Sequence, residues 1–299
     1  MSLKQHPEKW IDAEGIRTRY FEAGDGPPVV FMHGGTIGDA SGGANAEDWE
    51  FNFPALVEAG FRCFSIDKLG QGYTENPKRL EDWSMRGQVA HAASFLRAIG
   101  AGPCHLVGHS RGGYVSCRVT LDHPELVQSC VIIDSNTGAP GVGRNEIVFA
   151  GSPYPAGTVE AATHVYNGYA YRTDHVTADW IALKQKIVET EKNREAVRRM
   201  SSEGLFETVF QPSLRVDREE MFEQLDREGL LRPTLLVWGF NDPTAPIDLG
   251  YRLHELISRR QPRCQLHVLN EAGHHSFRER PQEFNRTLIE FFEGVAHGD

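Results

Sequence analysis

Short runs of apolar, β-branched and aromatic residues alternate along this chain with segments whose apolar positions recur every three or four residues. "PPVVFMHGG" (27–35), "FRCFSIDKLGQG" (61–72), "CHLVGHS" (104–110), "SCVIIDS" (129–135), "PTLLVWG" (233–239) and "CQLHVLN" (264–270) read as strands, most of them running into glycine or a polar turn residue. Residues 84–99 set Val89, Ala92, Ala93, Leu96 and Ile99 at helical spacing, and Gly100 stops that helix. "RGGYVSCRVTLDH" opens a helix directly after the strand at 104–110. "PQEFNRTLIEFF" (281–292) closes the pattern with Phe284, Leu288, Phe291 and Phe292 on one face. Strands alternating with helices predict an α/β fold with a mostly parallel central sheet flanked by helices.

The alternation breaks between Ser135 and Arg232. There the chain is strand-poor, opens with "NTGAPGVGRN" and "GSPYPAG", and continues through "TADWIALKQKIVETEKNREAVRRM" and "DREEMFEQLDREG". The expected organisation is a core of residues 1–135 and 233–299, interrupted by a helical cap at 136–232. The Gly-rich stretch "GGTIGDASGGANAEDWE" (34–50) does not match the G-x-G-x-x-G pattern that opens a dinucleotide-binding helix, so no such cofactor is expected.

Composition narrows the function. The 299 residues are 40% hydrophobic and 24% charged, with a net charge of −10 that argues against nucleic acid or an anionic membrane as partner. The N-terminus "MSLKQHPEKW" lacks the apolar core of a signal peptide, and no apolar stretch is long enough to span a membrane. Cys63, Cys104, Cys117, Cys130 and Cys264 are odd in number and scattered, which reads as reduced core thiols in a cytoplasmic protein. Neither H-E-x-x-H nor paired Cys/His spacing occurs, so no metal is expected.

The chemistry resides in "HLVGHSRGG" (105–113). A strand that turns sharply into a helix leaves one residue strained at the turn, and small residues two positions either side let strand and helix approach. Gly108 and Gly112 supply these around Ser110, the pattern of a nucleophile elbow. A serine hydroxyl requires a base held by an acid, expected in the order Ser, acid, His. Asp242 in "GFNDPTAP" and His274 in "EAGHHSF" follow the last two strands and fit. Asp134, one strand earlier, is a rival acid, and His275 adjoins the favoured base. The oxyanion hole is expected from the backbone N–H of Arg111 and from Gly35 or its neighbours Gly34 and Thr36 in "HGGT".

With "HGG", "GHSRGG", "GFNDPTAP" and "AGHH" in this order, the chain resembles the α/β-hydrolases over nearly its whole length. "WIDAEGIRTRYFEAGDGPPVVFMHGG", "SIDKLGQGYTENP" and "RPQEFNRTLIEFF" are similar to segments of the meta-cleavage product hydrolases, which split a C–C bond in ring-fission dienoates. Thr36, His109 and His275 stand where those enzymes usually have glycine, asparagine and tryptophan. The resemblance implies a lid cation for the substrate carboxylate, placed by rough alignment at Lys184, with Lys68 and the Arg111 side chain as further candidates. His109 and His275 are counted with Lys184 as possible substrate contacts. It also implies a dienol that becomes a keto form before cleavage, a small-molecule substrate, and dimers or larger assemblies of the chain.

The first reading is therefore a cofactor-free hydrolase of a small carboxylate-bearing product of aromatic or heteroaromatic catabolism. A carboxylesterase, lactonase or amide hydrolase would use the same three residues through an acyl-enzyme. The fold also serves cofactor-free dioxygenases and ligand receptors. The lid aromatics Tyr154, Tyr166, Tyr169, Tyr171, Trp180, Phe206 and Phe210 read as core packing or pocket wall, with none singled out.

Overall fold

Side chains alternate between two faces along each strand, and here both faces are apolar. The computed structural model describes residues 3–40, 43–149 and 152–298. Among these, one sheet runs in the order β1-β2-β4-β3-β5-β6-β7-β8. Its strands are β1 (Glu8–Ala13), β2 (Ile16–Ala23), β3 (Pro28–Met32), β4 (Arg62–Ile66), β5 (Cys104–His109), β6 (Val127–Ile133), β7 (Thr234–Gly239) and β8 (Cys264–Leu269). All pairings from β4 to β8 are parallel. Strand β2 runs antiparallel to both β1 and β4.

The two faces seed two cores. Val30, Met32, Leu106 and Ile132 pack with residues of α2 (Met85–Ile99), α3 (Arg111–Asp122) and α9 (Ile247–Ser258). Their neighbours Val29, Phe31, Val107 and Val131 turn to the other side and meet α1 (Phe53–Glu58) and α11 (Pro281–His297). This explains why the parallel strands read as unbroken apolar runs. The β1–β2 hairpin falls outside the strand runs expected from that pattern. It turns on Glu14 and Gly15, both at positive φ (53° and 86°), as a two-residue hairpin turn requires. Its outer strand is largely exposed, so only a weak alternation marks it.

Between β6 and β7 the described chain contains helices but no strand: α4 (Glu146–Phe149), α5 (Val159–Tyr169), α6 (Ala178–Val188), α7 (Glu191–Val197) and α8 (Gln211–Glu228). The segment divides its work. Helices α5 to α7 stand over the loops at the strand ends, where Lys192 Nζ donates to the Gly72 carbonyl at 2.9 Å and Asn76 Nδ2 to that of Lys192 at 3.0 Å. Helix α8 returns to the sheet flank, burying Met221 and Leu225 in the α2–α3 core. Asp217 on α8 accepts from Arg86 Nε of α2 at 2.8 Å.

Chain order reverses around β3, whose successor β4 lies on one side and β5 on the other. At such a switch the loops after β3 and β5 diverge and leave a crevice. The "HGG" loop and Ser110 both lie there.

Candidate active site

Ser110 ends β5 and starts α3 with φ 53° and ψ −121°, a strained conformation for a residue with a Cβ. Its N–H donates to the Ile133 carbonyl at 2.8 Å, which ties the turn to β6. The two glycines have separate reasons. A Cβ on Gly108 would strike the Gly112 carbonyl, where α3 crosses the strand. A Cβ on Gly112 would strike the carbonyls of Met32 and His33, so glycine there lets α3 press against the end of β3.

His274 Nε2 lies 3.2 Å from Ser110 Oγ, and His274 Nδ1 lies 2.7 Å from Asp242 Oδ2. The other oxygen of Asp242 accepts from the Thr244 N–H (2.8 Å), the Thr244 hydroxyl (2.9 Å) and the Ala245 N–H (2.8 Å). That carboxylate is thereby fixed, and a proton on Nδ1 leaves Nε2 free to accept from the serine hydroxyl. Asp134 is buried at the end of β6, where it accepts from the Gly239 N–H at 2.7 Å and the Ser276 hydroxyl at 2.5 Å. It braces the loops carrying Asp242 and His274. Burial, with Asp242 alongside, pushes its carboxyl well above the usual carboxylate range.

The loop after β3 is held by a histidine that sequence reasoning passed over. His33 donates from Nδ1 to the Gly34 carbonyl at 2.9 Å and accepts at Nε2 from the Lys68 N–H at 3.1 Å. Burial keeps that ring neutral, with its pKa well below the ordinary value. Gln71 Nε2 also donates to the Gly34 carbonyl, at 3.2 Å. In a trans peptide the N–H points opposite the carbonyl, so this clamp aims the Gly35 N–H the other way. Gly35 sits at φ 72°, and neither its N–H nor that of Arg111 meets an acceptor among the described residues. Gly34 lies against Ser110: a Cβ there would be 3.1 Å from Ser110 Cβ and 3.0 Å from His109 Nδ1.

His274 is anchored differently. Its N–H donates to the Tyr169 carbonyl of α5 at 2.9 Å, and the Tyr169 ring stacks on the imidazole with centroids 4.9 Å apart. His109 Nε2 donates to the His274 carbonyl at 2.7 Å, so His109 supports the loop from below. Glu279 joins the same loop to the helical segment. Its Oε1 accepts from the Gly273 N–H (2.9 Å), and its Oε2 from the N–H groups of Tyr171 (3.0 Å) and Arg172 (2.8 Å). No local pattern announces Glu279, since two of its three partners, Tyr171 and Arg172, lie more than a hundred residues upstream.

A cavity of about 1010 Å³ opens above these groups, walled by Gly34 to Ala40, His109, Ser110 and Arg111 from the core. Tyr154, Val165, Tyr166, Tyr169, Met200 and Phe206 wall it from the helical segment. His275 also faces it, ringed by Tyr166, Trp180 and Phe277, and its buried Nδ1 has no hydrogen-bond partner.

The expected lid cation is engaged elsewhere. Lys184 is fully buried and ion-paired with Asp48, which also accepts from Trp180 Nε1 at 2.9 Å. It is absent from the cavity wall. Lys184 lies on α6, and the acidic "AEDW" turn (46–49) captures it. Lys68 is also buried, with Nζ on Gln88 Oε1 at 3.0 Å.

A family description, alpha/beta hydrolase fold, matches residues 27–281. The chain belongs to that family. It is 28% identical to a 2-hydroxy-6-oxononadienedioate/2-hydroxy-6-oxononatrienedioate hydrolase of Burkholderia vietnamiensis, over 94% of this chain and 92% of the relative. It is 26% identical to the 2-hydroxy-6-oxo-6-(2'-aminophenyl)hexa-2,4-dienoic acid hydrolase of Metapseudomonas resinovorans, over 99% and 94%. Among solved structures, a meta-cleavage product hydrolase of Pseudomonas fluorescens IP01 superposes with a TM-score of 0.78 at 26% identity, covering 96% of this chain and 98% of that one.

Proposed function

We propose that this α/β-hydrolase cleaves a C–C bond in a small, carboxylate-bearing ring-fission product, with Ser110 as nucleophile, His274 as base and Asp242 as its orienting acid. The observation that carries the reading is the unbroken hydrogen-bonded chain from Asp242 through His274 to Ser110 at the floor of the cavity. The substrates named for the two relatives, a dienedioate or trienedioate for one and a dienoic acid for the other, all 2-hydroxy-6-oxo acids, supply the chemical class.

His274 accepts the Ser110 proton as Oγ bonds to the substrate ketone carbon, and the oxyanion takes hydrogen bonds from the N–H groups of Gly35 and Arg111. The C–C bond then breaks with its electron pair passing to the departing carbon, which takes the proton from His274. Prior ketonisation of the dienol makes that carbon an acceptable leaving group. Water activated by His274 releases the acyl group as a carboxylic acid and restores the serine. No cofactor enters this sequence. The helical segment 136–232 acts as the lid that shapes the cavity and limits water. Four buried free thiols and one half-buried free thiol suit a cytoplasmic setting.

The test is a substrate panel of ring-fission dienoates, 4-nitrophenyl esters and lactones. The expected result is loss of the dienoate absorbance with wild-type protein. Hydrolysis of esters or lactones with dienoates untouched would replace this reading by an esterase or lactonase. Oxygen consumption with a quinolone-type substrate, or tight binding of a ligand without turnover, would replace the hydrolytic reading itself.

A further inference from the structure

The residue after the nucleophile carries an unassigned side chain. Arg111 is proposed above to offer its backbone N–H to the attacked carbonyl, and the residue is part of the cavity wall. It is the sole lysine or arginine among the described wall residues. Its head rests on the Phe210 ring, 5.6 Å from the centroid, and its Nε is buried without a hydrogen-bond partner. No carboxylate among the described residues is within ion-pair distance of it. Asp39 and Glu207 share the wall, and Asp39 acts on the guanidinium only through the longer-range field.

A second cation lies behind this group. Lys68 is buried, hydrogen-bonded through Nζ to Gln88 and unaccompanied by any carboxylate among the described residues, and the two positive groups repel each other. Two basic side chains without an ion-pair partner among the described residues thus lie near one another, Arg111 in the cavity wall and Lys68 buried outside it. Uncompensated buried charge is costly unless an ion of opposite sign arrives to pair with it. Guanidinium, with paired N–H donors in one plane, matches a carboxylate in two-point fashion.

We infer that the Arg111 guanidinium is the carboxylate subsite of this enzyme, holding the acid end of the substrate while Ser110, one residue away, attacks the carbonyl at the other end. The anchor therefore stands on the core beside the nucleophile, while the lid lysine, Lys184, stays committed to Asp48. Substrates are selected by a negative charge a short carbon chain away from the reacting carbonyl. The inference rests on the hydrolase reading but is independent of which bond breaks.

The experiment compares 4-nitrophenyl hydrogen glutarate with its methyl diester, which differ only in the distal carboxylate. The readout is the ratio of their kcat/KM values, so any disturbance of the serine turn common to both cancels. Arg111→Gln is expected to lower the charged-to-neutral ratio by about 10- to 100-fold, chiefly through KM of the charged ester, with Arg111→Lys intermediate. A ratio within twofold of wild type in Arg111→Gln overturns the inference. Should the variants not fold, calorimetric titration of the wild-type protein decides. Benzoate is expected to bind at least tenfold more tightly than benzamide, and equal affinities overturn the proposal. Dienoates untouched alongside a collapsed ester ratio would refute C–C cleavage and leave this subsite standing.

Discussion

Ser110 and His274 are seated on two different parts of the molecule. Ser110 is set by the sheet: a strand, a helix and two glycines that let backbones touch, plus a hydrogen bond to β6. His274 occupies a loop after β8, an edge strand, and three of the groups fixing that loop are Tyr169, His109 and Glu279. Tyr169 belongs to α5 of the helical segment, and Glu279 grips that segment and the loop at once. The serine side is determined by close packing, which tolerates little. The histidine side is determined by hydrogen bonds to the segment between β6 and β7, which elsewhere also packs on the core through Met200, Phe210 and Met221. The His274 loop is therefore tied by hydrogen bonds to the helical segment, while the Ser110 backbone is held by contacts within the sheet and α3.

The largest effect tests the serine alone. Ser110→Ala is expected to lower kcat/KM by about 10³-fold or more for whichever substrate proves active. A fall below tenfold would mean that another group initiates the chemistry. Matched alanine substitutions then set one half against the other. Gly112→Ala drives a methyl into two backbone carbonyls of the sheet, with an expected loss of roughly 3 kcal/mol in urea unfolding or outright failure to fold. Gly273→Ala meets the carbonyl of Tyr169, which can retreat with the lid, so stability should fall less and kcat more. Equal stability losses would erase the distinction between the halves.

Glu279→Gln presents an amide where the carboxylate now receives three N–H groups. It should lower kcat by about tenfold with little change in melting temperature, because the polar network positions the loop without bearing the core. An unchanged kcat would uncouple lid from base.

The smallest effect concerns acid. Burial lowers His91 and His105 of the core to about 4 from an ordinary value of 6.5, so both stay neutral when folded. Their contribution to stability is present above about pH 6.5 and is lost as pH falls toward 4, because the unfolded chain gains the protons first. His91 pairs with the Thr18 hydroxyl at 2.8 Å and His105 with that of Ser129 at 2.7 Å. The double variant His91→Gln, His105→Gln should show a shallower decline of melting temperature over that interval than wild type, by a few degrees.

This division also explains what could be read from the chain itself. Gly108 and Ser110 are legible because their constraint is local to one turn, and Gly112 is legible through its spacing from them, although the carbonyls that exclude a Cβ there belong to Met32 and His33. The α/β class is legible for a similar reason, since each buried strand shows its own apolar run. The β1–β2 hairpin was not, because its exposed outer strand carries little apolar signal. Glu279 and His33 were invisible, as their partners are chosen by tertiary placement. Lys184 was misleading because an alignment supplies a position and not the neighbour, Asp48, that captures it.

The Tyr169 carbonyl has one more consequence. Lids are tempting modules to exchange when a new pocket shape is wanted. In this enzyme a transplanted segment would have to bring a main-chain acceptor at that point in space, or the graft would open the pocket and release the His274 loop in a single step.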